Sequence, residues 1–453
     1  MRPRNLSDVA RAVRGTHAGD DAEVRSVAID SREARAGDLF VALAGEHADG
    51  TAFVTDAFER GAAGAMVPSG TAVDGPVVHV GSTNEALLRL ATDERRRIDA
   101  TVVAVTGANG KTTTKDMTAA VGATRLRTHA SPASFNNEIG VPVTLLTAPE
   151  DTELIVAELG ARHVGDVAEL CAVTRPAITV VTNVGVAHIG IFGSWEKIVE
   201  ASAEPVEALG IDDVAVLNAD DPVVAGYAAR AAGRVIRFGR TSDADVRGSD
   251  VTLDADGCAR FRVVEDGGSA PVELRVPGEH MVANALAALA VGSVLGVPLA
   301  EGAAALGAAR LSRWRMERFV GSAGVVIVND AYNANPESVA AALRTARWIA
   351  GDGRLIAVLG QMAELGSIAA DEHERVGELA ARLRVDHLVL VGEEARAIGV
   401  AAVREGIEPG HVRAPDDVDE AIAIVRDLAG AGDVVLCKGS RVAGLERVAE
   451  ALR

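Results

Sequence analysis

The sequence is poor in lysine, aromatic residues and cysteine, and each shortage narrows what the protein can be. Aromatic residues make up only 3% of the chain, so the cores of its domains must be built from aliphatic side chains and alanine. Its three cysteines, Cys171, Cys258 and Cys437, lie far apart with no CxxC spacing. This argues against a disulfide framework and against a cysteine zinc site, and it fits a reducing cytoplasm.

The chain also has fewer basic than acidic residues. The chain has 45 basic and 64 acidic residues, a net charge of −19. Such a balance argues against nucleic acid or an anionic lipid surface as a partner, although a local basic pocket for a small anion is still allowed. The N-terminus has no apolar stretch typical of a signal peptide. Met281–Ala300 is uncharged but mostly alanine, with glycine and proline, which favours a buried helix and a turn over a membrane span.

The length and the rhythm of the aliphatic runs predict an α/β protein with three domains. Short runs such as "TVVAVTG", "ELIVAEL" and "AITVVTNV" alternate with helical patterns, which is typical of a mostly parallel sheet with crossover helices. The same rhythm returns after Arg313. We predict a small α/β N-terminal domain at residues 1–81, a central domain with a mostly parallel P-loop sheet at 82–312, and a C-terminal Rossmann-like domain at 313–453.

The stretch "TVVAVTGANGKTTTKD" predicts a nucleotide-phosphate site. A strand runs into a turn with Gly107 and Gly110, and a helix then opens on Lys111 and Thr112. Glycines let the backbone N–H groups point at phosphate oxygens at the positive end of a helix. The lysine can reach the β- and γ-phosphates, and the threonine hydroxyl can ligate Mg²⁺. The pattern departs from the usual P-loop spacing, which would place a glycine at Val105.

Lysine scarcity strengthens this interpretation. Only Lys111, Lys115, Lys197 and Lys438 occur, so the other 41 basic residues are arginines. In such a chain, a lysine inside a glycine motif indicates a position that needs a compact ammonium group. Lys111 and Lys438 both meet that description.

Two further polar side chains stand where predicted strands end. Glu158 closes "ELIVAEL", and His188 follows "AITVVTNV". Open α/β sheets bind ligands at the carboxyl ends of their strands, so both residues are candidates for ions beside the phosphates. The alternatives are a helix-capping acid and a structural loop histidine.

Motifs over nearly the whole chain resemble the Mur ligase family of cell-wall biosynthesis. They include "TGANGKTTTKD", "SFNNEIGVPVTLL", "VAELGA", "TNVGVAHIGIFGS", "GEHMVANALAAL", "RWRME", "NDAYNANPES" and "GDVVLCKGSR". Two of them, "FNNEIGVP" and "DAYNANP", are similar to the form in the members that add D-alanyl-D-alanine to UDP-N-acetylmuramoyl-tripeptide. The N-terminal pattern of Asp30, Ser31, Arg32 and the stretch Gly37–Gly50 resembles the family's UDP-binding domain.

The resemblance implies an ATP- and Mg²⁺-dependent ligase that works through an acyl phosphate. The implied partners are UDP-N-acetylmuramoyl-tripeptide and D-alanyl-D-alanine, and a monomer is the default state. The implied ATP-binding residues are Gly107, Ala108, Asn109, Gly110, Lys111, Thr112, Thr113, Asn284, Arg315, Asp330 and Asn333. Of these, Lys111 and Arg315, together with His188, would be catalytic, and Thr112, Glu158 and His188 would bind metal.

The resemblance also suggests substrate-binding residues: Ser31, Arg32, Asn136, Asn137, Lys438 and Arg441. Two pairs among them have structural alternatives. Ser31 and Arg32 could form a surface turn, and Lys438 and Arg441 could anchor a strand–helix turn. Asp330 and Asn333 could likewise make a turn before Pro336.

The chain departs from the family at Ser202, where Mur ligases usually carry a carbamylated lysine. Lys197 lies five residues earlier, about 140° around a helix, and is a poor substitute. Glu200 or Glu204 could supply the missing negative charge. Three explanations compete: an active enzyme with a differently completed metal site, a bound anion in place of the carbamate, or a protein that binds UDP-muropeptide or nucleotide without catalysis. A related ligase with another acceptor, such as a folylpolyglutamate synthase, is a further alternative.

Overall fold

The computed structural model describes residues 1–45 and 49–453, which form three large sheets that follow one another along the chain and one small two-stranded sheet. The first sheet has the strand order β2-β7-β6-β5-β4, parallel except for the β2–β7 pair. A short antiparallel pair, β1–β3, lies beside it. The strands are β1 (Arg4–Asn5), β2 (Thr16–Ala18), β3 (Glu23–Val24), β4 (Ser26–Ala28), β5 (Asp38–Val41), β6 (Gly64–Pro68) and β7 (Val77–Val80). The helices are α1 (Leu6–Val13), α2 (Val54–Glu59) and α3 (Thr83–Arg95), with 3₁₀ turns at Ser31–Glu33 and Gly50–Phe53.

The second sheet has nine strands in the order β16-β15-β14-β13-β12-β11-β8-β10-β9. From β9 to β14 all neighbours are parallel, and β14, β15 and β16 form an antiparallel extension. The strands are β8 (Thr101–Thr106), β9 (Thr128–Ala130), β10 (Leu154–Glu158), β11 (Ile178–Val181), β12 (Val214–Asn218), β13 (Arg234–Gly239), β14 (Val246–Leu253), β15 (Cys258–Glu265) and β16 (Gly268–Pro277). The helices are α4 (Lys111–Gly122), α5 (Gly140–Thr147), α6 (Asp166–Thr174), α7 (Ile189–Phe192), α8 (Trp195–Glu207), α9 (Pro222–Gly226), α10 (Met281–Val294) and α11 (Leu299–Ala308), with a 3₁₀ turn at Tyr227–Arg230.

The third sheet has six strands in the order β17-β18-β22-β19-β20-β21, parallel except for the β17–β18 pair. Its strands are β17 (Glu317–Val320), β18 (Val326–Asn329), β19 (Leu355–Gly360), β20 (His387–Val391), β21 (Val412–Arg413) and β22 (Val434–Lys438). The helices are α12 (Pro336–Ala350), α13 (Ala369–Arg382), α14 (Arg396–Arg404), α15 (Val418–Leu428) and α16 (Glu446–Ala451). Three 3₁₀ turns, at Gly366–Ile368, Pro409–His411 and Arg441–Ala443, complete this part of the chain.

Continuous burial explains why these segments form central strands. In β8 the three valines are fully buried, and β10 and β19 are buried along their whole length, because helices cover both faces of each sheet. The predicted buried helix is confirmed as α10, which is apolar almost all round because it packs against α4 as well as the sheet. No helix in the described part of the chain is long and apolar enough to span a bilayer.

Topology decides where a ligand can lie. The strand β8 is flanked by β10 on one side and β11 on the other, so the chain direction across the sheet reverses at β8. Such a switch point leaves a crevice at the carboxyl end of the strand, and the glycine loop begins there.

The predicted α/β class with a mostly parallel central sheet is confirmed. The boundaries after residues 81 and 312 stay predictions, and α3 packs on both α1 and α5, which lie on either side of the first boundary.

Candidate active site

The glycine loop after β8 is held from below by the strand β11 and from the side by α10. Gly107 has φ of 133°, and a Cβ on it would overlap the Thr182 hydroxyl. Gly110 has φ of 81°, and a Cβ there would overlap the Asn284 side-chain oxygen. Both positions therefore require glycine for conformation and for space. The Asn284 amide, a predicted ATP contact, lies directly against the loop, with its oxygen 3.3 Å from Thr114 Oγ1.

The loop presents free donors at the start of α4. Within the described residues, the N–H groups of residues 110–113 donate to no protein acceptor, as the first turn of a helix requires. Lys111 folds back over the loop, and its Nζ donates to the carbonyl oxygens of Gly107 (2.6 Å) and Ala108 (3.3 Å). Burial lowers the pKa of Lys111, with a smaller opposing effect from Glu158. These groups form a compact set of N–H donors around one ammonium, which suits phosphate oxygens.

Three side chains from distant parts of the chain meet beside the loop. The Thr112 hydroxyl lies 2.7 Å from Ser134 Oγ, and the Nη2 of Arg315 donates to both, at 3.0 and 3.2 Å. Tyr332 stacks under the Arg315 guanidinium at 4.1 Å from the ring centre. The arginine is thus brought to the glycine loop from the segment that precedes the third sheet, and its contact with ATP stays a prediction.

Glu158 is an orphaned acid next to this group. Its side chain is buried, its Oε1 accepts from Asn136 Nδ2 at 2.8 Å, and its Oε2 has no hydrogen-bond partner in the described residues. A buried carboxylate oxygen without a partner is costly unless a cation satisfies it. Mg²⁺ is usually held by one or two carboxylates or hydroxyls together with phosphates, and Thr112 and Glu158 supply that kind of donor set. No group of three or more His, Cys, Asp or Glu side chains suited to a metal occurs in the described residues.

His188 lies in the loop after β11 and is strained, with φ of 61°. Its Nδ1 is in direct contact with the carboxylate of Glu364, a residue of the third sheet's unit. Burial is the main cause that lowers the pKa of His188, the nearby Lys111 ammonium lowers it further, and Glu364 opposes both. His188 and Lys111 are therefore neighbours, although His188 makes no hydrogen bond to the glycine loop in the described residues.

Lys438 at the end of β22 is buried and paired. Its Nζ donates to Asp330 Oδ2 at 2.5 Å and to the Asn333 carbonyl at 3.0 Å, while Asp330 Oδ1 accepts from the Met316 N–H at 3.1 Å. Burial lowers the pKa of Lys438, and Asp330 opposes that shift. Lys438, a predicted substrate-binding residue, thus binds Asp330 and Asn333, which are predicted ATP-binding residues. This geometry supports the anchoring alternative for Lys438, and its contact with a peptide carboxylate stays a prediction.

A second amide reaches the glycine loop from the third sheet's unit. Asn335 Nδ2 donates to Asn109 Oδ1 at 2.7 Å, while Asn335 Oδ1 caps α12 by accepting from the Ser338 N–H. The side chain of Asn333, the sequence-predicted residue, accepts only from the adjoining Ala334 N–H. Asn335 was missed, although an asparagine before proline at a helix start with serine three residues on is a readable cap signal.

The remaining predicted substrate residues do not join this cluster. Ser31 is buried in the N-terminal unit, and the exposed Arg32 is paired with Asp30 at 2.6 Å. The Asn137 side-chain oxygen accepts from the Gly140 N–H at 2.9 Å, just before α5, and Arg441 pairs with Glu446 at 2.6 Å. The Gly37–Gly50 stretch of the N-terminal pattern includes residues 46–48, which lie outside the described residues. Whether any of these residues binds the substrate stays a prediction.

The helix α8 shows what surrounds Ser202. The phenol of Tyr227 donates to the Val199 carbonyl of α8 at 2.8 Å, and burial raises the pKa of Tyr227 to about 12. Glu204 is committed elsewhere, because its carboxylate accepts from the N–H groups of Gly165 (2.5 Å) and Ala168 (2.9 Å) at the start of α6. Glu200 is exposed and lines a surface cleft with Trp195 and Arg230. In this structure neither acid replaces a charge at position 202.

Sequence reasoning also missed residues that support the loop. Lys115 is buried, and its Nζ donates to the carbonyls of Ser131 (2.6 Å) and Ala133 (2.7 Å), which fixes the segment that carries Ser134. Because lysine is scarce in this chain, the presence of a lysine at position 115 could have indicated a specific role for it. Glu364 had no such signal, because its contact with His188 joins residues 176 positions apart.

The geometry defines an α/β protein with a glycine loop of P-loop type, which side chains from a second, Rossmann-like unit and from the segment before it contact. Comparison with known families agrees along the chain. The Mur ligase family catalytic domain matches residues 23–100, the Mur ligase middle domain 105–292, and the Mur ligase glutamate ligase domain 314–441.

Individual relatives match over nearly their full length. The UDP-N-acetylmuramoyl-tripeptide–D-alanyl-D-alanine ligase of Mycobacterium tuberculosis is 40% identical over 468 residues, covering 94% of this chain and 92% of the relative. The crystal structure of MurF from Acinetobacter baumannii superposes with a TM-score of 0.87 at 30% identity, covering 100% and 99% of the two chains. The MurF ligase of Thermotoga maritima in complex with ADP gives 0.80 at 28% identity, covering 95% and 97%. The chain belongs to the Mur ligase family.

Proposed function

We propose that this protein joins D-alanyl-D-alanine to UDP-N-acetylmuramoyl-tripeptide at the expense of ATP, giving a pentapeptide precursor of peptidoglycan. The observation that carries the proposal is the assembly of Lys111, Thr112 and Arg315 at one phosphate loop, in a chain similar over its length to ligases of that name. The proposed reaction takes place in the cytoplasm. The proposed active form is a monomer.

The chemistry has two steps. The terminal carboxylate of the tripeptide attacks the γ-phosphorus of ATP, and ADP leaves as the acyl phosphate forms. The free amine of D-alanyl-D-alanine then attacks the acyl carbon, phosphate leaves, and the nitrogen loses its proton as the amide forms. The first step brings two anions together, and two unit charges at 4 Å repel by roughly 4 kcal/mol at an effective dielectric of about 20.

The residues of the glycine loop offset that repulsion. The free N–H groups of residues 110–113 and the Lys111 ammonium bind the β- and γ-phosphates. Arg315 binds the same phosphates from the other side, since its guanidinium is already held against Thr112 by the stack on Tyr332. Asn284 lies behind Gly110 and fixes the edge of the nucleotide pocket. Asp330 and Asn333 would lie on the ribose side of the bound nucleotide.

Thr112 and Glu158 would hold the first Mg²⁺, and His188 the second. Bound there, Mg²⁺ would neutralise phosphate charge and polarise the γ-phosphoryl group. The orphaned Glu158 Oε2 is the observation that supports this assignment. Asn136 donates to the other oxygen of Glu158, so we propose that Asn136 orients that carboxylate in addition to its expected place on the UDP-sugar side.

Release of phosphate tests the proposal. Purified protein is incubated with Mg-ATP and UDP-N-acetylmuramoyl-tripeptide, with and without D-alanyl-D-alanine. Phosphate release that depends on the dipeptide is the expected result, with the pentapeptide identified by mass. Binding of both ligands without release would favour the alternative in which Ser202 has left a binding protein. Release with glutamate or another acceptor instead of the dipeptide would favour a different amide ligase.

A further inference from the structure

The unusual contact between His188 and Glu364 lies where two separate sheets meet. His188 follows β11 of the nine-stranded sheet, and Glu364 follows β19 of the six-stranded sheet. The Glu364 carboxylate contacts His188 Nδ1 through one oxygen, and its other oxygen lies 3.4 Å from the Nη2 of Arg162, which follows β10. One acid of the third unit therefore binds two basic side chains of the central unit.

The backbones of the loop that carries His188 and the loop that carries Glu364 lie very close to each other. The Gly190 N–H donates to the Glu364 carbonyl at 2.9 Å. A Cβ on Gly190 would lie 2.6 Å from the Gly366 nitrogen, and a Cβ on Gly366 would lie 2.7 Å from the Gly190 Cα. Side chains at these two positions would push the loops apart, so the pair of glycines lets the two loops touch.

Both members of the contact adopt a rare backbone conformation. His188 has φ of 61° and Glu364 has φ of 65°, in the left-handed region that non-glycine residues seldom occupy. Strain of this kind persists only where the surroundings hold it, and it clusters at functional sites. An ordinary surface ion pair between two long side chains needs no such arrangement.

We infer that Glu364 is a positioning residue for His188, supplied when the third sheet's unit closes on the central unit. In this arrangement Nδ1–H donates a hydrogen bond to the carboxylate, which fixes the neutral tautomer in which Nε2 carries the lone pair. A histidine that acts as a ligand through one nitrogen commonly donates its other N–H to a carboxylate. Closure of the third unit would then contribute to the phosphate site in two ways. It would bring Arg315 to the site, and it would orient His188. This inference rests on the proposed function.

The first test observes the histidine itself, in the full chain saturated with ADP, the state in which we expect the third unit to be closed on the central unit. The protein is labelled with ¹⁵N-histidine, and the ring nitrogens are correlated with the ring protons by NMR. The signals of His188 are assigned by their loss in His188→Ala. The wild type and Glu364→Gln should show the Nδ1–H tautomer, because the glutamine oxygen still accepts a hydrogen bond, whereas Glu364→Ala should shift His188 toward Nε2–H. Unchanged His188 signals in Glu364→Ala would overturn the inference, whatever the enzyme's substrate.

The second test separates positioning from folding. Glu364→Ala should lower kcat by about 10- to 100-fold, with the KM for the tripeptide changed less than about twofold, and Glu364→Gln should recover part of the loss. In a His188→Ala background, Glu364→Ala should have no further effect, since it acts through the missing ring. Additive losses in the double variant would contradict the inference.

A matched control is Glu374→Gln. Among the described residues, Glu374 pairs only with Arg404 of the third unit, at 3.1 Å, so its loss leaves the contact between the loops of His188 and Glu364 intact. We expect wild-type kcat and wild-type histidine signals from it. If the wild type itself shows no dipeptide-dependent turnover, the proposed function fails while the NMR test of the contact still stands.

Discussion

Lys111 and Lys438 are both ammonium groups withdrawn from water, but they differ in what neutralises them. Lys438 has the carboxylate of Asp330 at 2.5 Å. Lys111 has only carbonyl oxygens of its own loop within hydrogen-bond distance among the described residues. Its charge is therefore available to an incoming anion, and the neighbouring Arg315 adds a second positive charge. Lys111 is therefore suited to a catalytic role, and Lys438 is suited to a structural one.

Lys111→Ala tests the first of these roles. We expect phosphate release to fall by about 100- to 1,000-fold, because the variant removes a preorganised charge from the developing phosphoryl anion. Lys197→Ala is the matched control, since Lys197 is exposed on α8 and makes no ion pair in the described residues. A rate from Lys111→Ala close to that of Lys197→Ala would refute the proposed mechanism.

The buried pair of Asp330 and Lys438 should dominate local stability. Asp330→Ala leaves a buried ammonium unpaired, and we expect it to lower the free energy of unfolding by about 3–5 kcal/mol. Asp330→Ala/Lys438→Met should regain most of that loss. Since burial already lowers the pKa of Lys438, the loss in Asp330→Ala should shrink as pH rises and the amine becomes neutral. Urea unfolding at several pH values measures both effects, and equal losses in the single and double variants would contradict them.

At the scale of elements, the glycine loop depends on the two residues that follow strand β11 as much as on its own sequence. Thr182 Oγ1 donates to the Asn109 carbonyl at 2.7 Å, and Asn183 Oδ1 accepts from the Asn109 N–H at 2.8 Å. The loop is therefore held in shape before any nucleotide binds. This preorganisation leaves no space for a side chain at Gly107.

Gly107→Ala should accordingly weaken nucleotide binding. The new methyl group would overlap the Thr182 hydroxyl, and φ of 133° is unfavourable for alanine, so the loop must shift. We expect the Kd for ADP, measured by calorimetry, to rise by at least about tenfold, the size of a 1.4 kcal/mol loss. Gly70→Ala is the control for backbone strain alone, since φ is 90° there and no atom lies within 4 Å of the added Cβ. Equal affinities in the two variants would show that the loop tolerates a side chain.

The helix α8 gives the clearest departure from the family. Ser202 lies on α8, and Glu204, two residues later, caps α6. We predict that Ser202→Lys does not abolish activity, because the glycine loop and its partners do not depend on the Ser202 hydroxyl. Dipeptide-dependent phosphate release measures this. Complete loss of turnover in a folded Ser202→Lys protein would mean that position 202 must stay small.

At the scale of the whole molecule, the proposed phosphate site is formed by residues from the units of two sheets. Arg315, Asn335 and Glu364 all reach the central unit from the third unit or from the segment that leads to it. The arrangement described here is therefore a closed one. A site divided in this way is complete only when the units come together, which links substrate binding to closure.

Asn335→Asp separates closure from helix capping. Aspartate keeps the oxygen that caps α12 but replaces the amide donor with an acceptor against Asn109 Oδ1. We expect wild-type thermal stability and a kcat/KM for ATP lower by about tenfold, which is 1.4 kcal/mol of binding in the transition state. Asn335→Ala should lose both properties. An Asn335→Asp variant with unchanged kcat/KM would show that this contact does not contribute to closure.

Much of this site could be predicted from the sequence because its residues lie close together in the chain. A strand, two glycines, a lysine and a threonine occupy consecutive positions, and their order alone predicts Gly107, Gly110, Lys111 and Thr112 at one loop. Glu158 and His188 were found because strand ends in a parallel sheet share one edge. Asn335 was missed because its contact with Asn109 joins two distant parts of the chain, and the role of Asn333 stays a prediction. Glu364 was not found at all.

The sequence by itself determined the α/β class, the phosphate loop and the identity of its main donors, since these depend on short-range patterns of burial and backbone freedom. Only the tertiary structure decided which polar groups are already satisfied. It paired Lys438 with Asp330, gave Glu204 to the start of α6, and left one oxygen of Glu158 without a partner. It also brought Glu364 to His188 across two sheets. Such pairings depend on distances between residues far apart in the chain, and no local pattern carries that information.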